Sequence, residues 1–487
     1  MSPAPLSPQQ RAFVYSRIAH IAVLIAYAGT GKSYTLKQFV LKRPDKKFIY
    51  FVYNKSMRVD GERAFKAMRE QVYVTTFHGL AYRALISPNP ILRRKTDTKE
   101  IPPLRPHALV EYANPGDEQP LREMFAWGLH EVLITFFNSE STLEGFISDN
   151  CAFSELIKKY ESFSFLSLDR ICASFRQVWK RIWEDPNFPM PHDAYLKQFQ
   201  LNRPWFGDYD FVIVDEEQDI SPVMLSLILN GGKESKTIFC GDPYQSIYSF
   251  RGAVGGSLGH LIANYDPQVF YLSISFRCPP KIARLANRVL MMAGATEEFV
   301  GAGNPASTTS QRAYIARTNA GLFDFLVENL DKKIFFVGGI ASYDFQNMRD
   351  ILSLVGKKHE WIKNDFIASF AGIAELRKYA ENSRDVGLLA AIGTVFKHIE
   401  NNIPQILKAL KEASTTNVVN ADLVVSTSHR SKGLEWENVT LLEDFPFPFK
   451  EDMDEAQKME ELRLLYVAIT RSKSSIILPD NIQDLLS

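Results

Sequence analysis

The feature that most constrains the fold of this chain is a glycine-rich loop near the N-terminus, set between an apolar run and an apparent helix. The apolar run spans Ile21 to Ile25, and residues 26–33 read Ala-Tyr-Ala-Gly-Thr-Gly-Lys-Ser. A buried strand followed by such a loop, and then by a helix from about Tyr34, is the phosphate-binding unit of parallel α/β folds. We therefore expect a parallel sheet with this loop at the carboxyl end of a strand.

The residue types of the loop match the chemistry of a nucleotide. Gly29 and Gly31 allow backbone N–H groups to face phosphate oxygens. Lys32 can reach the β and γ phosphates, and Ser33 can hold Mg²⁺. Ala26 stands where the general pattern has glycine, and its side chain is small enough for the same turn. The sequence predicts ATP and Mg²⁺ as ligands, with nucleotide contacts from Ala28, Gly29, Thr30, Gly31, Lys32, Ser33 and Tyr34.

A second apolar run ends in a cluster of acids. Residues 211–219 read Phe-Val-Ile-Val-Asp-Glu-Glu-Gln-Asp, which predicts a buried strand ending in four carboxylates around one glutamine. Such a cluster repels itself without a cation, so we assign Asp215 to Mg²⁺ and Glu216 to the general base that orients and deprotonates water. Glu217 and Asp219 are compatible with solvated acids that cap the next helix, an interpretation that we favour for Glu217.

Residues 241–253 place a phosphate sensor next to a surface suited to stacked bases. They read Gly-Asp-Pro-Tyr-Gln-Ser-Ile-Tyr-Ser-Phe-Arg-Gly-Ala and follow an apolar run that predicts another parallel strand. Gln245 lies near the end of that strand, where ligands bind open α/β sheets. Tyr248, Phe250 and Arg251 offer the rings and guanidinium plane on which bases stack. The alternative is two core aromatics and a surface arginine.

Two arginines complete the predicted chemistry. Arg277 follows an apparent strand at residues 269–274, and Arg471 ends an apparent helix. In a two-domain NTPase, arginines from the far side of the cleft stabilise charge on the transferring phosphoryl group, an effect of roughly three to five orders of magnitude in rate. Ordinary surface cations are the alternative interpretation of both.

With these motifs in order from Leu6 to about Leu478, the chain resembles the UvrD/PcrA/Rep group of superfamily 1A DNA helicases. Within that group it is most similar to the helicase portion of the F-box DNA helicases. The resemblance implies that Gln10 reads the adenine and that Phe276 stacks on it, where the family has tyrosine. It also implies that Glu435 contacts the ribose, that Gln245 senses the γ-phosphate and that the two arginines act as paired fingers.

The resemblance also implies contacts with DNA. Phe250 stands where many relatives have tryptophan, so we expect weaker base stacking at this position. The other expected DNA contacts, besides Tyr248 and Arg251, are Tyr53, Asn54, Thr76, Phe77, His78, Thr427, Ser428 and His429.

The distribution of strand and helix patterns predicts an α/β fold with two RecA-like P-loop NTPase domains, each with a parallel sheet interrupted by a mostly helical insertion. Helical spacing is evident at residues 121–137, 153–163 and 168–183. The predicted boundaries are 1–84 and 206–276 for the first core, 85–205 for its insertion, 277–342 and 422–487 for the second core, and 343–421 for a small second insertion.

The amino-acid composition restricts the cellular compartment and the ligands expected for the protein. Among 487 residues the four cysteines lie far apart without metal-ligand spacing, which argues for a reducing compartment and against a zinc or iron–sulfur site. Equal numbers of basic and acidic residues, 56 each, argue against tight duplex binding. We expect no membrane segment, no signal peptide and, with five residues before Leu6, no F-box. The expected compartment is the cytoplasm, or the nucleus of a eukaryote.

Three functions are compatible with this pattern. The first is an ATP-dependent translocase and helicase, and the resemblance implies that it moves 3′ to 5′ on DNA. It would act on single-stranded DNA and 3′-tailed duplexes in repair, recombination or replication, as a monomer or with weak self-association. The second is a nucleotide-gated DNA-binding subunit that recruits a nuclease, a recombinase or a defence effector. The third is an RNA helicase, since no residue reports on a 2′-hydroxyl. The complete set of hydrolytic side chains favours the first.

Overall fold

The computed structural model describes residues 5–149, 168–247, 257–303, 312–382, 385–451 and 453–486. The chain divides into two compact units. The first unit contains the described parts of Met1–Ala26, Lys32–Pro243 and Tyr248–Leu272. The second contains the described parts of Tyr27–Gly31, Tyr244–Ile247 and Ser273–Ser487.

The first unit is built on a six-stranded parallel sheet with the order β3-β2-β4-β5-β1-β6. Five of its strands are mostly apolar and buried, as expected for a parallel sheet, whereas the edge strand β6 is partly exposed. The strand that the sequence predicts at residues 269–274 ends at Leu272, and the residues after it form a separate short strand. The strands are β1 (Ile21–Ala26), β2 (Phe48–Phe51), β3 (Val72–Thr75), β4 (Phe211–Asp215), β5 (Lys236–Gly241) and β6 (Gln268–Leu272).

The helices of the first unit fall into two groups. Those of the sheet region are Pro8–Val14, Lys32–Leu41, Lys55–Ala64, Phe77–Ala81, Pro222–Gly231 and Ser257–Tyr265. Those of the predicted insertion are Pro90–Thr96, Gln119–Asn138, Leu143–Ser148, Leu168–Glu184 and His192–Leu201. The described part of residues 85–205 contains no strand. The helices predicted at 121–137 and 168–183 are confirmed, and the one predicted at 153–163 lies outside the described residues.

The second unit is built on a five-stranded parallel sheet with the order β10-β11-β9-β12-β13 and a two-stranded sheet of β7 and β8. Two parallel sheets with a phosphate-binding loop confirm the predicted α/β class with two RecA-like domains. The strands are β7 (Ile274–Ser275), β8 (Val300–Gly301), β9 (Arg312–Ala316), β10 (Ile334–Phe336), β11 (Leu423–Thr427), β12 (Trp436–Leu441) and β13 (Ser472–Ile477).

The helices between residues 319 and 413 share one hydrophobic core with the five-stranded sheet. Ile351, Ile392 and Leu410, from the predicted second insertion, are buried in the same cluster as Phe336 of β10 and Val425 of β11. This segment therefore packs as part of the sheet's own core. The helices of the unit are Pro280–Met292, Asn319–Val327, Gln346–Val355, Asp365–Ala368, Ile373–Asn382, Val386–Lys397, Ile403–Ala413, Ser428–Ser431, Glu455–Ile469 and Asp480–Leu485.

Within the ranges that the structure describes, every helix is too short or too polar to cross a membrane.

Candidate nucleotide site

The end of β4 holds a residue in an uncommon backbone conformation. Glu216 has φ 56° and ψ 47°, in the left-handed region, although it carries a side chain. Its backbone N–H donates to Oδ1 of Asp215 at 3.0 Å. Non-glycine residues held in this region are uncommon and cluster at functional sites. The turn aims the Glu216 carboxylate at the start of the helix Lys32–Leu41.

Lys32 and Glu216, predicted separately, form an ion pair with 2.7 Å between Nζ and Oε1. The Lys32 side chain is 15% exposed and that of Glu216 is 22% exposed. Burial alone lowers the pKa of the Lys32 ammonium, but the carboxylates of Glu216 and Asp215 outweigh it and raise that pKa above its ordinary value. The lysine is therefore charged at neutral pH and available to an anion.

Tyr50 is a member of this site that the sequence analysis missed. Its hydroxyl donates to Oδ2 of Asp215 at 2.7 Å, and its side chain is buried in β2 beside β4. Burial and the neighbouring Glu216 raise the pKa of the Asp215 carboxyl, while burial and Asp215 raise the pKa of the Tyr50 hydroxyl well above its usual value. The signal in the sequence was a hydroxyl-bearing side chain on a strand that parallel pairing places next to the acidic strand.

Gln218 joins the ends of β4 and β5. Its Nε2 donates to Oε2 of Glu216, and its Oε1 accepts from the backbone N–H of Asp242 at 3.0 Å. The side chain is 2% exposed. The sequence analysis noticed this glutamine among the acids and gave it no role.

The interpretation of Glu217 and Asp219 as solvated capping acids is wrong. Glu217 is 0% exposed and Asp219 is 7% exposed. They lie in a 3₁₀ turn that packs against β5 and the helix Ser257–Tyr265, so their side chains face protein rather than water.

In the second unit, the glycine-rich loop is held by hydrogen bonds from the segment after β6. Ser275 Oγ donates to the carbonyl of Ala28 at 2.8 Å, and the Phe276 N–H donates to the carbonyl of Gly29 at 2.9 Å. Gly29 has φ 72°, and a Cβ there would lie 2.5 Å from Cβ of Arg277. Glycine is therefore required both by the backbone conformation and by the close approach.

Arg471 is a buried residue, so the surface-cation alternative is wrong for it. Its side chain is 1% exposed and donates to the carbonyls of Val467 at 2.8 Å and Leu434 at 3.2 Å. It also approaches Oε1 of Gln245 at 3.5 Å. Lys432, which the sequence analysis did not single out, donates to the backbone carbonyl of Gln245 at 2.8 Å. Two cations therefore contact the predicted phosphate sensor.

Arg277 and Glu435, predicted for different ligand contacts, form an ion pair with 2.7 Å between Nε and Oε2. The Phe276 ring is 51% exposed and therefore open to a stacking partner. Gln10 is 2% exposed, and its Oε1 accepts from the N–H of Ser7 in a capping box at the first helix.

Among the residues predicted to touch DNA in the first unit, Phe77 requires a correction. It is 3% exposed, and its ring stacks on Phe51 with 4.5 Å between centroids, so it is a core residue. Asn54 is exposed and caps the helix Lys55–Ala64. Thr76 caps the helix Phe77–Ala81, and Nε2 of His78 lies 2.9 Å from Oδ1 of Asp193. Tyr53 is half-buried.

In the second unit, Thr427 and Ser428 are buried at the end of β11, and His429 is half-buried. Ser428 Oγ donates to the carbonyl of Ala316 at 3.4 Å. A DNA contact through this hydroxyl requires the bond to open. The predicted stacking residues lie outside the described part of the chain: Tyr248, Phe250 and Arg251.

The donor set fits Mg²⁺ that shares its coordination with phosphate. Asp215 supplies a carboxylate and Ser33 an exposed hydroxyl. Across the described ranges, no three His, Cys, Asp or Glu side chains are grouped so as to hold a metal alone. Mg²⁺ commonly binds through one or two carboxylates together with substrate phosphates and water.

Comparisons with known proteins agree with this geometry. The family model described as "AAA domain" matches residues 9–251, and the one described as "UvrD-like helicase C-terminal domain" matches residues 344–480. F-box DNA helicase 1 of Gallus gallus is 25% identical over 534 residues, covering 100% of this chain and 50% of that protein. F-box DNA helicase protein 1 of Schizosaccharomyces pombe is 28% identical over 505 residues, covering 94% of this chain and 55% of that protein.

A shorter match is to a probable DNA helicase II homolog of Mycoplasma genitalium, 31% identical over 157 residues, which is 30% of this chain and 22% of that protein. The chain spans about half the length of the two F-box relatives that it matches.

A lysine and a serine after a glycine-rich loop, with an Asp-Glu pair at the end of a parallel strand, define the class of P-loop nucleotide-binding proteins. Within that class, residues 344–480 match the UvrD-like helicase C-terminal domain, and the chain is homologous to the F-box DNA helicases over nearly its full length.

Proposed function

We propose that the protein hydrolyses ATP and uses it to move 3′ to 5′ along single-stranded DNA and to separate duplexes that carry a 3′ tail. The observation that carries this proposal is the Lys32–Glu216 ion pair beside Asp215, with Glu216 held in the left-handed conformation. A charged lysine, a magnesium-binding acid and a second acid aimed at the same place are the groups that phosphoryl transfer to water requires.

The chemical roles of the first unit follow from its contacts. Lys32 holds the carboxylate of Glu216 and exchanges it for the β and γ phosphates when ATP binds. The released Oε1 of Glu216 then accepts a proton from the attacking water, while Oε2 stays bonded to Gln218. Ser33 and Asp215 would hold Mg²⁺, which when bound neutralises charge on the phosphate oxygens. Gln10 is proposed to read the adenine.

The second unit is proposed to supply further ligands of the nucleotide. Phe276 offers an open ring to the adenine. Arg277 and Arg471 stabilise charge that develops on the phosphoryl group, and Gln245 reports its presence. Glu435 contacts the ribose, which requires it to leave its ion pair with Arg277.

The DNA-binding role is supported by the similarity to DNA helicases and by a few accessible groups. Tyr53, Asn54, Thr76 and His78 of the first unit are partly or fully accessible and are proposed to contact the strand. In the second unit, half-buried His429 just after β11 is proposed as a further contact, together with Thr427, which is buried in this structure. The biological setting that we propose is DNA repair, recombination or replication-associated processing.

Strand displacement tests this function. The substrates are one duplex carrying a 3′ single-stranded tail, the same duplex with a 5′ tail and a blunt duplex, each with ATP and Mg²⁺. We expect displacement from the 3′ tail, little from the others, and none with Glu216→Gln. Displacement from the 5′ tail alone would overturn the polarity. Nucleotide-dependent DNA binding without displacement from any substrate would favour a loading subunit.

A further inference from the structure

We propose that Gln218 is a positioning residue for the general base. Its amide N–H holds the Glu216 carboxylate, and its amide oxygen is oriented by the backbone of Asp242. Gln218 itself touches neither nucleotide nor water in this account and acts through Glu216. The inference rests on the proposed role of Glu216 in hydrolysis.

The orientation of the Gln218 amide is fixed by its two partners. The backbone N–H of Asp242 can only donate, so the amide atom facing it at 3.0 Å is the oxygen. The other end is therefore the NH₂ group, which faces Oε2 of Glu216, an acceptor. A flipped amide would place its NH₂ group against the Asp242 N–H, which is also a donor. It would place its oxygen against the Glu216 carboxylate, which is also an acceptor. The Gln218 side chain is also 2% exposed, so water has little access to its amide.

Gly241 leaves room for the Gln218 amide because it carries no Cβ. A Cβ at position 241 would overlap Oε1 of Gln218 and would lie 3.2 Å from the backbone nitrogens of Glu217 and Gln218. The glycine at the end of β5 therefore permits the amide to sit between the two strand ends. A larger residue would displace it.

Glu216 uses its two carboxylate oxygens differently. Oε1 pairs with Lys32 at 2.7 Å, whereas Oε2 accepts from Gln218. Once Lys32 turns to phosphate, Gln218 stays in contact and fixes the carboxylate plane. A base must stay within hydrogen-bond reach of the water and in the right direction, so loss of this contact lowers turnover without removing the base itself.

Two substitutions test whether Gln218 positions the Glu216 carboxylate or only bridges β4 and β5. Gln218→Glu keeps an oxygen for the Asp242 N–H, loses the donor and places a second carboxylate beside Glu216. Gln218→Leu loses both bonds without adding charge. We expect kcat for ATP to fall about tenfold in Gln218→Leu, the size of one lost hydrogen bond to a charged group. We expect kcat to fall about a hundredfold or more in Gln218→Glu, because the carboxylate introduced at position 218 repels the neighbouring Glu216 carboxylate.

The second readout is whether kcat falls while the affinity for nucleotide stays unchanged. Both variants should keep KM for ATP and the affinity for a non-hydrolysable ATP analogue within about twofold, since neither removes a nucleotide ligand. Gln177→Glu, the same charge change on an exposed helical position, should leave all values unchanged. Gly241→Ala, which crowds the amide, should reproduce the loss of kcat.

The opposite order of effects would overturn the inference. If Gln218 only bridges β4 and β5, Gln218→Glu retains wild-type kcat while Gln218→Leu loses thermal stability and activity together. Glu216→Gln separates this failure from failure of the proposed function. Turnover that survives Glu216→Gln refutes the base itself, whereas turnover lost in Glu216→Gln and kept in Gln218→Glu refutes only the role of Gln218.

Discussion

Two buried lysines of the first unit have opposite surroundings. Lys32, at the start of a helix after the glycine-rich loop, pairs with the Glu216 carboxylate at 2.7 Å, and its side chain remains 15% exposed. Lys197, in the helical region, is 0% exposed and donates to the backbone carbonyls of Ser139 at 2.8 Å and Ser141 at 2.6 Å.

The difference lies in whether the partner can be exchanged. The ammonium of Lys197 has three donors, and the carbonyls together with Oε1 of Gln200 at 2.9 Å use all of them. These acceptors belong to the chain itself and the Lys197 side chain is 0% exposed, so Lys197 is a structural residue. Lys32 instead holds a side-chain carboxylate at a partly exposed site, and a phosphate can take the place of that carboxylate. Burial of a lysine therefore does not by itself indicate function.

The largest expected effect is that of Lys32→Ala. Removing this cation should lower ATP turnover by about a thousandfold, because preorganised cations stabilise developing phosphate charge. The midpoint of thermal unfolding should change little, since the ion pair is partly solvated. Steady-state ATPase assays and thermal melts measure both. A large loss of stability with normal specific activity would make Lys32 a structural lysine like Lys197.

Glu216→Gln should lower turnover by about a hundredfold to a thousandfold while retaining affinity for ATP and for single-stranded DNA. The amide keeps the shape of the side chain and cannot accept the proton. Glu234→Gln, on an exposed position of the same unit, is the matched control. Near wild-type turnover in Glu216→Gln would assign the base to another residue.

Lys197→Met should act on stability alone. Loss of the ammonium leaves two partly buried carbonyl groups without their donor, at a cost of about 2 kcal/mol in the free energy of unfolding. The ATP turnover of the folded fraction should stay at the wild-type value. Urea unfolding of this variant and of Lys180→Met, an exposed lysine, provides the comparison. An unchanged unfolding midpoint would show that these bonds contribute nothing.

Tyr50→Phe should have the smallest effect, a loss of about 1 kcal/mol of transition-state stabilisation, seen as a few-fold fall in turnover. The substitution removes only the hydroxyl that holds Asp215. Tyr73→Phe is the matched control, because the Tyr73 hydroxyl on β3 has no hydrogen-bond partner within the described residues. Equal turnover in the two variants would remove Tyr50 from the site.

Local patterns predicted the framework of the site but not the contacts between strands. The strand β4 and the pair Asp215 and Glu216 follow from one apolar run ending in acids. Tyr50 and Gln218 did not follow, because their roles depend on β2 lying beside β4 and on β5 lying beside β4. Those neighbours are fixed by the topology of the whole sheet.

The errors have the same origin. Glu217 is an acid after a strand, which favours a solvated interpretation, yet a 3₁₀ turn carries it into the interior. Phe77 lies in a segment similar to DNA-contacting motifs, yet its ring completes the core beside Phe51. For Arg471, only the alternative of a surface cation fails, because the side chain is 1% exposed, and its role as an arginine finger stays a prediction. In each case tertiary packing decided the environment of a residue whose type was correctly noticed.

The most direct test of the account is ATP turnover by the intact chain with and without single-stranded DNA, with duplex DNA and RNA of the same sequence as the other arms. We predict strong stimulation by single-stranded DNA, weak stimulation by duplex and RNA, and loss of all stimulated turnover in Glu216→Gln. Equal turnover with and without DNA, or turnover that persists in Glu216→Gln, would contradict the account.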